Sequence, residues 1–180
     1  MRRAALCGFS MTTPTLQIRI YGDPVLRKKS QPVKVVGPGE RLLIKAMIAT
    51  MKLAKGVGLA APQVGINQRI FVADVGDGPV AFINPKIVKK SGAGVLEEGC
   101  LSIPGVTVEI KRAQEVLVRY TDEENQLVEQ LIRNLLARVV QHETDHLDGK
   151  LIVDYVKGKD AQKKIEEALK EIPKNKGSGQ

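Results

Sequence analysis

Two histidines occur in the 180 residues of this chain, and they stand four positions apart. They fall in Gln141-His142-Glu143-Thr144-Asp145-His146, within a stretch from about Asn134 to Leu147 whose apolar residues Leu135, Leu136, Val139, Val140 and Leu147 recur at helical spacing. Asp148-Gly149 closes that helix. Four residues is slightly more than one turn, so both imidazoles leave one face and can grip one metal ion. Glu143 stands beside them, placed to handle a proton of a water held at the same ion. The bland alternative is a solvated polar stripe, and the use of both histidines of the chain on one face argues against it. The pattern predicts a helix that carries both imidazoles.

A catalytic site of this kind takes three protein ligands and keeps one position open. No third histidine exists, so the remaining ligand must be a cysteine or a carboxylate. Beyond Gly149 the first glutamates are Glu166 and Glu167, on a charged terminal segment. Cys100 is the better candidate. It stands in Glu97-Glu98-Gly99-Cys100-Leu101-Ser102, after Gly92 and Gly94. Free cysteines are usually buried as small hydrophobes, but a core strand would not carry Glu98 and Gly99 beside one.

A third segment, Gly56-Val57-Gly58-Leu59-Ala60-Ala61-Pro62-Gln63-Val64-Gly65, superficially matches a dinucleotide fingerprint. Its context excludes that reading, because a helix precedes it and Pro62 interrupts any helix that should follow. Nor is there a Walker lysine. A loop that lets a ligand chain approach the backbone, with Gln63 as an amide donor, fits better than a plain helix-ending loop.

Around these segments the pattern is mixed. Leu43, Ile44, Met47, Ile48, Met51 and Ala54 predict an amphipathic helix over 40–55. Strand-like runs cover 70–75, 80–83, 106–110 and 115–120, separated by turn signals at 76–79, Asn84-Pro85, Pro104-Gly105 and 122–125. A last helix, over 160–171, reads as charged nearly all round. Strands and helices without βαβ alternation predict an α+β fold: antiparallel or mixed sheets packed around a central metal-binding helix, with one helix near each end.

Residues 1–14 read as a disordered extension or as the product of an upstream start codon, with Met11 the true beginning; Cys7 there is a free thiol. Residues 15–172 read as one catalytic domain and 173–180 as a flexible tail. That length suffices to bury roughly 70% of the unfolded surface. No run of about 18 apolar residues exists, which excludes a membrane-spanning helix. Two cysteines cannot build a disulfide framework, so the expected compartment is the cytoplasm. Aromatics at 3% argue against base-stacking platforms, while a net charge of +8 suits RNA-rich surfaces as partners.

Taken together, the segments 56–63, 98–102 and 141–146 strongly resemble the three signatures of the peptide deformylases, in order and in separation. The similarity extends from about Ile18, through Gly22-Asp23-Pro24-Val25-Leu26-Arg27, to about Tyr155. One departure is Asn134, where many relatives have glycine; asparagine is an acceptable N-cap, so little consequence is expected.

The resemblance implies hydrolysis of the N-formyl group from the N-terminal formylmethionine of newly synthesised polypeptides, with release of formate. It implies that Cys100, His142 and His146 hold one divalent ion, Fe(II) in cells, with Zn, Ni or Co able to substitute. Glu143 would carry the proton, while the Leu101 backbone N–H and the Gln63 amide would stabilise the developing oxyanion. An extended peptide would pair with Val57, Gly58 and Gly99, its methionine side chain entering a pocket walled by Val57, Leu135 and Val139. Glu98 and Arg112 are candidates for a supporting ion pair. The lysine-rich last helix is a candidate contact with the ribosome near its exit tunnel. Two rival readings are a zinc endopeptidase, which shares the His-Glu-x-x-His helix, and a ribosome-associated protein without catalysis.

Overall fold

A computed structural model describes residues 14–172. The expected N-terminal extension, Pro14 excepted, and the tail lie outside the described residues. Three α-helices are present among those residues: α1 (Pro38–Leu53), α2 (Asn134–Leu147) and α3 (Lys159–Lys170). Seven strands accompany them: β1 (Gly58–Ala60), β2 (Ile70–Ala73), β3 (Val80–Ser91), β4 (Gly94–Cys100), β5 (Ile103–Arg112), β6 (Glu115–Thr121) and β7 (Leu127–Arg133). All ladders between them are antiparallel. They form a five-stranded sheet in the order β1-β2-β3-β6-β7 and a separate hairpin, β4-β5. The result is an α+β fold with antiparallel sheets.

The run Ile70-Phe71-Val72-Ala73 explains how the helices sit. Side chains alternate across a strand, and here both sets are buried. Ile70 and Val72, with Leu59 and Ile83, pack against Ile44, Met47 and Met51 of α1. Phe71 and Ala73, with Ala60 and Phe82, pack against Ala137, Val140 and Leu147 of α2. The sheet therefore lies between α1 and α2. Its β1 end is an edge beside α2, and the site forms there.

The hairpin has its own core. Val106, Val108 and Ile110 alternate inward on β5 and meet Leu26, Leu151 and Ile152. Ile165, Ala168 and Leu169 of α3 complete that cluster. This corrects the expectation of a helix charged nearly all round: three- and four-residue steps put these side chains on one apolar stripe.

Further corrections concern strands and turns. Strand β1 lies inside the segment expected to be a loop, and β4 and β7 fall outside the expected strand runs; β1 is only three residues long, and β4 and β7 are largely exposed. Asn84-Pro85 does not end β3 but sits in an irregularity between Ile83 and Lys86. Asn84 adopts φ 52°, and its side-chain amide accepts from Val33 N and donates to Val33 O, which holds the strand through the kink. Pro104-Gly105 likewise lies within β5. Helix α1 begins two residues earlier than expected, with Pro38 at a first-turn position that needs no N–H donor.

Asn134 is not an N-cap. The cap is Arg133, without a side-chain hydrogen bond, and Asn134 itself has φ 57°. That left-handed conformation favours glycine and, next to it, asparagine. The departure is tolerated for a backbone reason.

Candidate functional site

Helix α2 carries an unusual load of buried polar side chains: Arg138, Gln141, Glu143 and His146. Each needs a partner. Gln141 accepts from Ala113 N at 3.1 Å and donates to Ala113 O at 2.9 Å, pinning the helix to the β5–β6 connection. The opposite side of the helix faces the end of β4. There the ligand atoms of Cys100, His142 and His146 lie within 4.8 Å of one another. Cys100 Sγ is 3.3 Å from His146 Nε2.

Each imidazole is oriented differently. His142 Nδ1 lies 3.0 Å from Glu98 Oε2. An ionised carboxylate only accepts, so Nδ1 carries a proton, and Nε2 is the atom that can serve as a ligand once the ring is neutral. His146 is fully buried, which pushes its pKa well below the ordinary imidazole value, and among the described residues its Nδ1 has no hydrogen-bond partner. For His142, burial opposes the charge, but hydrogen bonds with Cys100 and Glu98 outweigh it and raise the pKa to about 10. Metal ligation requires the neutral ring, so an ion entering this site displaces that proton. One thiolate and two imidazoles suit a divalent transition-metal ion in both softness and number.

Glu98 holds the surroundings together. It is buried, and burial raises its pKa, yet the hydrogen bonds from His142 and Arg112 hold it down at about 2. Arg112 grips it from Nε at 2.7 Å and Nη2 at 2.9 Å, and Arg138 adds Nη1 at 2.6 Å. Arg112 also donates to Asp145 at 2.7 Å, which accepts from the Tyr155 hydroxyl at 2.7 Å. The Glu98–Arg112 pair was expected. The parts of Arg138, Asp145 and Tyr155 were not. A charged residue four positions before His142 was the one available signal.

Above the cluster opens a cleft of about 560 Å³. Cys100, His142, Glu143 and Gln63 line it, as do Val57, Gly58, Gly99, Leu101, Leu135 and Val139. His146 lies beneath and does not reach it. Every expected site residue thus sits at one place, although they come from β1, a 3-10 turn at Ala61–Val64, the β4–β5 hairpin and α2. Gln63 is locked: its Oε1 accepts from Ala60 N at 2.8 Å, which turns Nε2 toward Ser102 Oγ at 3.2 Å and Cys100 Sγ at 3.6 Å. Burial pushes Glu143 up to about 7, against the lowering influence of His142 and Arg112. A carboxyl poised there both accepts and donates protons near neutral pH.

A cysteine sulfur and two imidazoles beside a buried carboxyl, beneath a cleft bordered by a strand edge, form the kind of donor set found in metal-dependent hydrolases. Comparison with known proteins narrows this. The polypeptide deformylase family model matches residues 15–162. A peptide deformylase of Thermotoga neapolitana is 51% identical over 142 residues, covering 78% of this chain and 87% of that protein. The crystal structure of peptide deformylase from Thermotoga maritima matches with a TM-score of 0.78 at 49% identity, over 80% of this chain and 99% of that one. A Met-Ala-Ser-bound peptide deformylase of Acinetobacter baumannii matches with a TM-score of 0.76 at 33% identity, over 81% and 100% of the two chains. The chain belongs to the peptide deformylase family. Its reaction is the hydrolysis of the N-formyl group from formyl-methionyl peptides, which releases formate. No helix among the described residues is long and apolar enough to cross a membrane.

Proposed function

We propose that this deformylation runs on Cys100, His142 and His146 as ligands of one ferrous ion, with Ni, Co or Zn able to take its place. The observation that carries the reading is the convergence of those three side chains beside Glu143, from segments more than 40 residues apart. A divalent ion bound there supplies Lewis acidity to the formyl oxygen and to the attacking water.

The chain's own residues do the rest. Glu143 takes the proton of the attacking water and returns it to the leaving amine nitrogen, so water and the formyl amide become formate and a free N-terminus. The Gln63 amide, preset by its bond to Ala60 N, and the Leu101 backbone N–H stabilise negative charge on the former carbonyl oxygen; losing one such donor costs about 3–4 kcal/mol. The peptide lies extended along the β1 edge, pairing with Val57, Gly58 and Gly99, as an added strand. Methionine enters against Leu135 and Val139. The Met-Ala-Ser bound by the Acinetobacter baumannii protein is the tripeptide that deformylation of formyl-Met-Ala-Ser would leave.

The working compartment is the cytoplasm, where nascent chains emerge. Helix α3 exposes Lys159, Lys163 and Lys170, with Glu166 and Glu167 among them and Lys157 just before it, as a lysine-rich face for a ribosome contact. Because its other face completes the hairpin core, charge reversal of these lysines tests the contact better than truncation. Salt-dependent cosedimentation with ribosomes that persists in the reversed variant would sink that part. The central test is formate release from formyl-Met-Ala-Ser with metal content measured in parallel. Glu143→Ala is expected to retain metal and lose nearly all turnover; a variant with metal and full turnover overturns the assignment.

A further inference from the structure

The hairpin β4–β5 shares no ladder with the five-stranded sheet. No strand ladder therefore sets the distance between Cys100, at the end of β4, and the histidines on α2. Backbone bonds such as Asn134 N to Gln114 O tie α2 to the β5–β6 connection, and side chains span the rest of the gap. Arg138 lies four residues before His142 on α2, so the two rise on one face. Its guanidinium is buried, and its hydrogen bonds among the described residues all cross to the hairpin. Nη1 donates to Glu98 Oε1 at 2.6 Å and Ile110 O at 3.0 Å, and Nη2 donates to Gly94 O at 2.7 Å. One planar fork thus holds both strands, near the start of β4, two residues before Cys100, and on β5. Arg112 makes the second bridge, from β5 to Asp145 of α2.

We infer that Arg138 is a positioning residue for the metal site. It clamps the hairpin bearing Cys100 to the helix bearing His142 and His146, and braces Glu98 against His142 Nδ1. The inference rests on the ligand assignment proposed above. Lysine cannot replace it, because a single ammonium cannot span the Glu98 carboxylate and two carbonyls in the fixed geometry of the fork.

The test uses the full-length protein and two variants. Arg138→Met keeps a stem that lines the cleft and removes the fork; Arg138→Lys keeps only the charge. Retention of Ni(II) against a chelator is measured, with the thiolate-to-metal absorption of the Co(II)-loaded protein and the melting temperature of the metal-free protein. Partners that orient metal ligands typically contribute about 10- to 100-fold in metal affinity. Retention is expected to fall by that range in Arg138→Met and by less in Arg138→Lys, with the cobalt band shifted or weakened. A lowered melting temperature with wild-type retention and an unchanged band would mean a merely structural part, and overturns the inference. Should Arg138→Met fail to fold, Arg138→Lys decides by the same criterion. Cys100→Ala isolates the underlying assignment: if the cobalt band is absent from wild type or survives in Cys100→Ala, the ligand set is wrong whatever the Arg138 variants do.

Discussion

Replacing Gly58 by alanine adds one methyl group at the place where β1 meets α2. A Cβ there would fall 2.8 Å from Val139 Cγ1 and 2.9 Å from Glu143 Cδ, with Oε1 of Glu143 closer still. Gly58 does not have positive φ, so the reason for glycine is room, not backbone freedom. Val139 and Glu143 are both buried and lie one turn apart on the same helix, so neither clears the added methyl without a shift. Either β1 lifts from α2 or the Glu143 carboxyl rotates away. Overpacking of this kind costs about 1–3 kcal/mol of stability. Displacing a general base removes about 10²- to 10⁴-fold in rate, or about 3 to 5 kcal/mol of barrier. The assay is formate release at saturating formyl-Met-Ala-Ser, with metal content and melting temperature recorded on the same samples. Gly39→Ala is the control, since nothing lies within 4 Å of its added Cβ. The expected result is a folded, metal-loaded Gly58→Ala protein with kcat reduced at least about a hundredfold. Wild-type kcat in that protein would refute the placement of Glu143 against β1.

Other consequences follow from the same geometry. Glu98 sits at about 2 against an ordinary 4.5, so its contribution to stability is present above pH 4.5 and is lost as pH falls through about 2. That amounts to about 3 kcal/mol, and a melting-temperature profile over this window should be flatter in Glu98→Gln than in wild type. Because His142 is protonated up to about pH 10 in the metal-free site, ion uptake at neutral pH should release at least one proton. Calorimetry in buffers of different ionisation enthalpy measures it, and buffer-independent heats would contradict it. Aerobic purification should lose activity that anaerobic iron or nickel restores, through oxidation of the metal or of Cys100; oxygen-insensitive full activity with zinc alone would count against iron. Asn134→Ala should lower stability by about 1 kcal/mol while Asn134→Gly does not, because only the former forces a Cβ without a polar side chain into the left-handed region.

The residues that local periodicity governs were readable without coordinates. A step of four on a helix puts His142 and His146 on one face in any α-helix, and the apolar spacing around them locates that helix. The run Ile70-Phe71-Val72-Ala73 reads as a strand because a strand buried on both faces is continuously apolar. The residues expected from the three signatures lie around one cleft, with His146 beneath it. Their meeting could not be read from spacing, since no local rule brings 57–63, 98–101 and 135–146 to the same place.

What only the tertiary structure decided lies in contacts made across long sequence separations. The strands β4 and β7 exist because a partner strand satisfies their backbone, although their own side chains are largely exposed. Helix α3 has an apolar stripe only in relation to the hairpin core it covers. Glu98 faces His142, and Arg138 reaches Gly94 and Ile110, because the folded hairpin sets those groups within hydrogen-bond reach of α2. A sequence states which groups are present and how neighbours along the chain are oriented. Low-dielectric burial and long-range packing then determine which charges meet, which proton each holds, and how little room remains beside Gly58.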